Sequence, residues 1–183
     1  TDYCIVFDYR GHHQSQMPPD NTQLNFSTLA KDASAVLKEL NLGIPAHIWC
    51  HSMGCNVGIE LAVAEPELVK TLILCCGSLS NPLDSMLGGD WLNLGVKPLL
   101  DLYERRPSLF NKSWEWAQKQ SQAIQFIVKI AGFNMGATTS DDVETYVKAV
   151  STVEPRVFFM LLREMVRAPS RGIGPKVRAP SCV

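Results

Sequence analysis

From Ala46 to Cys76 the chain reads AHIWCHSMGCNVGIELAVAEPELVKTLILCC. An apolar run of strand length is followed by a helical run over Gly54 to Ala64, a turn holding Pro66, and a second apolar run, VKTLILCC. A strand that returns as a strand through a helix must run parallel to the first, because a tight turn joins only antiparallel neighbours. This stretch therefore predicts an α/β fold built on a parallel sheet flanked by helices. Parallel strands are buried on both faces, and the near-continuous apolar runs TLILCC and CIVF suit that position.

The remaining elements extend the same architecture. Tyr3 to Phe7, in YCIVFDYRGHH, reads as a short buried strand. From Ser27 to Leu42, the residues Leu29, Ala33, Val36, Leu37 and Leu40 share one helical face, with Ser27 as the expected N-cap and Gly43 as the stop. After Ser80 the stretch NPLDSMLGGDWLNLG is rich in loop residues, and helices are expected over 111–130 and 141–150. Thr139 and Asp142 have the spacing of a capping box for the second of these. A last helix starting at Pro155 is expected to bury Phe158, Leu161, Leu162, Met165 and Val166, and GPKVRAPSCV opens a further strand. Helices without intervening strands point to a helical cap inserted into the α/β core. The expected domains are a partial core at 1–80, a helical cap at 81–153, and a return helix with the start of the next core strand at 154–183.

Composition removes several classes of function. Hydrophobic residues make up 46% of the 183 and charged ones 19%, a globular balance that excludes wholesale disorder. Seventeen basic residues against eighteen acidic ones, with no Lys/Arg cluster, argue against nucleic acid as a partner. The longest apolar runs, such as Leu72 to Cys76, fall far short of the roughly 20 residues that span a bilayer. The opening residues do not read as a signal peptide, and Thr1 leading straight into a strand-like run is not expected to be a natural start. The six cysteines, Cys4, Cys50, Cys55, Cys75, Cys76 and Cys182, lie mostly among apolar residues and lack zinc-ligand spacing. They are expected to be reduced packing residues, which favours a cytoplasmic setting.

The chemistry is concentrated at Ser52. A serine hydroxyl becomes a nucleophile only when a base takes its proton, so it must stand on an exposed, strained turn that base and substrate can both reach. The turn from AHIWC into the helix provides such a place, and it demands small residues two positions to either side, here Cys50 and Gly54. The opening of the helix adds unpaired N–H groups and a dipole that favour negative charge, with the Met53 N–H directed at an oxyanion. A helix-capping serine is the competing reading of the same residue.

The stretch CHSMGCNVGIELA resembles the nucleophile elbow of the α/β-hydrolase family, whose commonest form has glycine at the positions of Cys50 and Cys55. VFDYRGHHQS resembles the strand end and loop that precede the elbow in that family, usually with glycine at His13. The resemblance covers essentially the whole chain, from the family's fourth strand to the start of its seventh. It implies an internal fragment of a serine hydrolase, with the catalytic acid and histidine beyond Val183 and the second oxyanion donor before Thr1. It also implies that the strand lying between the fourth and fifth is missing, leaving strand edges and apolar surface exposed.

The expected function is acyl transfer to water, of esterase or lactonase type, on a small to medium apolar acyl substrate. Ser52 is the nucleophile, the Met53 N–H an oxyanion donor, and no cofactor or metal is expected. Most of Trp91, Trp114, Trp116, Phe126, Phe133, Phe158 and Phe159 are expected to be core, with a few lining a pocket between cap and sheet. His51 is read as a packing or hydrogen-bonding residue, His12 and His13 as loop residues, Asp8 and Arg10 as fixing the loop after their strand, and Asp84 as a solvated carboxylate. The alternative function is that of a non-catalytic ligand-binding protein or an inactive truncated fragment of the same fold.

Overall fold

The computed structural model describes residues 3–78, 80–84, 91–110, 138–167 and 172–183. The helix expected over 111–130, with Trp114, Trp116 and Phe126, lies outside them, as does Phe133. The chain divides into two compact units, one of Thr1–Met17 with Met86–Phe159 and the other of Pro18–Ser85 with Met160–Val183.

The second unit carries the sheet. Strand β1 (Ala46–His51) pairs in parallel with β2 (Val69–Cys75), and β2 pairs in parallel with the two-residue β3 (Ser181–Cys182), giving the order β1-β2-β3. After an irregularity at Ala46/His47 the register runs from His47 opposite Thr71 to His51 opposite Cys75. Helix α2 (Gly54–Ala64) joins the two longer strands and packs on both, and it also contacts α1 (Phe26–Leu40). The parallel α/β architecture is as the sequence predicts.

Burial shows which faces are covered. On the inner face Cys50, Leu72 and Leu74 are buried, Cys50 and Leu72 beside Gly58 of α2, whose Cys55, Val57, Ile59, Leu61 and Ala62 are themselves buried. β1 alternates: His47, Trp49 and His51 are exposed, with Trp49 at 77%. Among the described residues, β1 is thus an edge strand with one uncovered face, in contrast to the two-sided burial expected of parallel strands. Helix α1 buries Phe26, Leu29, Ala30, Ala33 and Ser34, whereas Leu40 is exposed. Its N-cap is Asn25, whose side chain accepts from Thr28 N–H at 2.8 Å, and not Ser27. Its end is set by Asn41 in the left-handed region, φ 44°, two residues before Gly43.

The expected strand at Tyr3–Phe7 is not formed. The segment is irregular and exposed, with Tyr3 at 81% and Val6 at 88%, and no strand pairs with it among the described residues. An apolar run becomes a strand only when a neighbour takes up its N–H and C=O groups.

In the first unit, α3 (Trp91–Arg105) begins within the last five residues of the stretch read as loop-rich and continues beyond it. Gly95 and Pro98 look like breakers in sequence, yet the helix continues through them and buries Leu100 and Tyr103. Tyr103 stacks on Phe159 at 4.6 Å between ring centres, and Phe110 meets both rings edge-on at 5.3 and 5.2 Å. Helix α4 (Ser140–Ser151) has the expected capping box, with Thr139 and Asp142 bonded reciprocally. Helix α5 (Pro155–Arg167) starts at the expected proline, its residues up to Phe159 belonging to the first unit and those from Met160 to the second. Val157, Phe159 and Leu161 are its buried residues, while Phe158, Leu162, Met165 and Val166 are half-buried.

Candidate active site

The site forms where β1 ends. The ladder with β2 persists one residue past the strand, Ser52 N–H donating to Cys75 O at 2.9 Å. There the backbone turns: Ser52 has φ 51°, in the left-handed region that costs a residue with a β-carbon roughly 1–2 kcal/mol. Met53 is already helical, with φ −53° and ψ −34°, and α2 opens at Gly54. Cys55 N–H donates to Ser52 O at 3.0 Å and Asn56 N–H to Met53 O at 3.1 Å.

Ser52 is exposed at the carboxyl end of a parallel strand, the edge at which open α/β sheets bind ligands. Among the described residues its hydroxyl has no hydrogen-bond partner, and the N-cap position belongs to Met53, which makes no side-chain cap bond. The helix-capping reading of Ser52 therefore has no bond to support it. The Met53 N–H likewise has no acceptor among the described residues and lies at the positive end of the α2 dipole.

Tight packing surrounds the turn. Cys50 is buried, and a β-carbon added at Gly58 would come within 2.3 Å of its Sγ and 3.1 Å of Leu72 Cδ1. Cys55 is fully buried, and a β-carbon at Gly77 would meet its Sγ at 2.3 Å and Ser52 O at 2.9 Å. Each cysteine that stands where the family usually has glycine thus faces a glycine on the neighbouring segment. Gly58 and Gly77 were not singled out from the sequence; the signal was the pair of larger residues at 50 and 55, which require small ones opposite. Cys76, just before Gly77, also has a positive φ of 52°.

Burial pushes the Cys50 thiol up to about 12, reinforced by the nearby Cys55 and Cys75, and raises Cys55 as well. Neither is therefore a thiolate near neutral pH, which removes a cysteine nucleophile at the elbow. All six cysteines are free.

The other sequence candidates fall as follows. His51 is exposed, and its ring is neither packed nor hydrogen-bonded among the described residues. Asp84 is exposed in a short turn, Pro82–Asp84, and accepts from Asn81 Nδ2 at 3.0 Å. In the first unit, 8–16 form a tight loop: Ser15 Oγ donates to Asp8 O at 2.7 Å, His12 Nδ1 lies 3.2 Å from Arg10 O, and Gly11 N–H donates to Gln16 O at 2.9 Å. Asp8 and Arg10 contribute these loop bonds through their carbonyls. His13 has φ 44°, the conformation a glycine adopts there without cost.

The family model described as "alpha/beta hydrolase fold" matches residues 3–124. The chain belongs to that family. Solved hydrolases have the same fold. A hydrolase from Oleispira antarctica is 18% identical with a TM-score of 0.69, covering 96% of this chain and 60% of its own. The N-acyl homoserine lactonase AidH, solved with N-hexanoyl homoserine lactone, is 13% identical with a TM-score of 0.63 and coverages of 96% and 58%. The esterase EaEST from Exiguobacterium antarcticum is 16% identical with a TM-score of 0.61 and coverages of 95% and 59%. The chain thus spans about three fifths of the length of these α/β-hydrolases. Among the described residues no helix is long and apolar enough to cross a membrane, and no group of His, Cys, Asp and Glu is arranged to hold a metal ion.

Proposed function

We propose that this α/β-hydrolase chain supplies the nucleophile of a serine hydrolase that transfers an acyl group to water. The observation that carries the reading is the exposed Ser52 held at positive φ between a parallel strand and a helix. Ser52 Oγ attacks the acyl carbonyl carbon and its proton passes to a histidine oriented by an acid; the family resemblance locates both after the strand that begins at Ser181. The carbonyl oxygen becomes an oxyanion, to which the unpaired Met53 N–H donates. Collapse of the intermediate expels the alcohol, which takes the proton from the histidine. Water then repeats the sequence on the acyl-enzyme and releases the acid.

The lactonase and esterase among the similar structures favour an ester or lactone bond. The aromatic residues of the cap segment favour an apolar acyl group of small to medium size. The six free cysteines suit a reducing, cytoplasmic setting.

The test is hydrolysis of p-nitrophenyl esters of increasing acyl length by the full-length protein. Turnover is expected, and Ser52→Ala is expected to lower kcat by about 10⁴-fold or more. Equal turnover by the variant would reject the assignment. Stabilisation by an acyl ligand that is never consumed would favour the non-catalytic binding protein instead.

A further inference from the structure

We propose that Cys55 is a positioning residue for the nucleophile, its thiol holding the Ser52 turn to the end of β2; the inference rests on the hydrolase reading of Ser52. Ser52 is held from both sides of its own peptide unit. Its N–H donates to Cys75 O at 2.9 Å, and its carbonyl accepts Cys55 N–H at 3.0 Å. Cys55 joins the two contacts, because its Sγ lies 3.5 Å from the same Cys75 O and 3.6 Å from Cys50 O. The single thiol proton is thereby shared between the carbonyl that ends β2 and one in the strand leading to the serine.

The thiol also fills space that nothing else fills. Cys55 is fully buried, and Gly77 leaves open the volume its sulfur occupies, a β-carbon there falling 2.3 Å from Sγ. With a smaller residue at 55, Gly77 and the carbonyl of Ser52 lose the surface against which they are seated. A turn held at positive φ persists only when its surroundings over-determine it. Loosening it displaces the hydroxyl from its line of attack, and a displacement near 1 Å costs on the order of 10²-fold in rate. The Cys55 thiol touches no reacting atom in this scheme; it acts through the backbone of Ser52.

The experiment compares full-length wild type, Cys55→Ala and Cys55→Ser by two rates: phosphonylation of Ser52 by a fluorophosphonate, and hydrogen exchange of the Ser52 amide. Cys55→Ala is expected to slow phosphonylation about tenfold and to speed amide exchange by about the same factor. Cys55→Ser, which keeps a donor of similar size, is expected to stay within about threefold of wild type on both. Serine restores most of the volume as well as the donor, so its recovery speaks for the side chain as a whole. If Cys55→Ala does not fold, Cys55→Val, which fills the site and removes the donor, replaces it with the same expectation. An unchanged rate of amide exchange in the folded variant overturns the proposal, as does unchanged phosphonylation of a labelled protein. If the wild type takes no label, the hydrolase reading fails, and the exchange rates alone decide whether Cys55 holds the turn.

Discussion

At Ser52 the backbone is held in a conformation that the local sequence disfavours, φ 51° in a residue with a β-carbon. Two substitutions that both remove the hydroxyl measure the cost. Ser52→Gly is expected to be more stable than Ser52→Ala by about 1 kcal/mol, because glycine enters the left-handed region without penalty. Equal melting temperatures for the two variants would show that the turn is unstrained. The buried thiols make a second prediction at this scale. Cys50 is raised from 9.0 to about 12 in the folded chain, so folding favours its protonated form. Its stabilising contribution is complete below pH 9 and is lost as pH rises toward 12, when the unfolded chain can shed a proton that the folded one retains. Wild-type stability is expected to fall more steeply over that window than that of Cys50→Ala, measured by denaturant titration at each pH. Parallel profiles would contradict the assignment.

Between elements, one close contact of α2 with the sheet is Gly58 against Cys50. Gly58→Ala places a β-carbon 2.3 Å from Cys50 Sγ and is expected to cost about 1–3 kcal/mol of stability. In a Cys50→Ala background the nearest remaining Cys50 atom, Cβ, would be at 3.7 Å, and most of that penalty is expected to vanish in a double-mutant cycle. Additive effects would mean that the two residues do not meet. Elements of this kind were legible where local signals agreed. The Gly54–Ala64 helix, the strands around it, the Thr139–Asp142 capping box and the proline start of α5 all follow from periodicity and capping chemistry. Helix α3 was hidden because Gly95 and Pro98 carry local penalties that the packing of Leu100 and Tyr103 outweighs. At the start of α1 the cap was placed at Ser27 for its hydroxyl, whereas it is the Asn25 side chain that accepts from Thr28 N–H. Tyr3–Phe7 was misread because apolarity marks what a strand buries, not whether a neighbouring strand is there to pair with it. The position of Ser52 was readable from its flanking strand and helix; the facing glycines at 58 and 77 were not, since no local pattern links residues so far apart.

On the scale of the whole chain, several large apolar side chains stand in solvent: Tyr3, Val6 and Trp49 are each more than three quarters exposed, and β1 has an unpaired edge among the described residues. Open edges flanked by apolar side chains recruit other chains. Residues 1–183 produced alone are therefore expected to self-associate, with Trp49→Lys reducing the associated fraction in light scattering. A monomer with one sharp thermal transition would contradict this. The hydrolase reading stands on one atom, the hydroxyl oxygen of Ser52, and the deciding experiment treats the full-length protein with a fluorophosphonate and maps the adduct by peptide mass spectrometry. A single covalent adduct is expected on Ser52, absent from Ser52→Ala. An adduct on another serine, or none on an intact and folded protein, would contradict it.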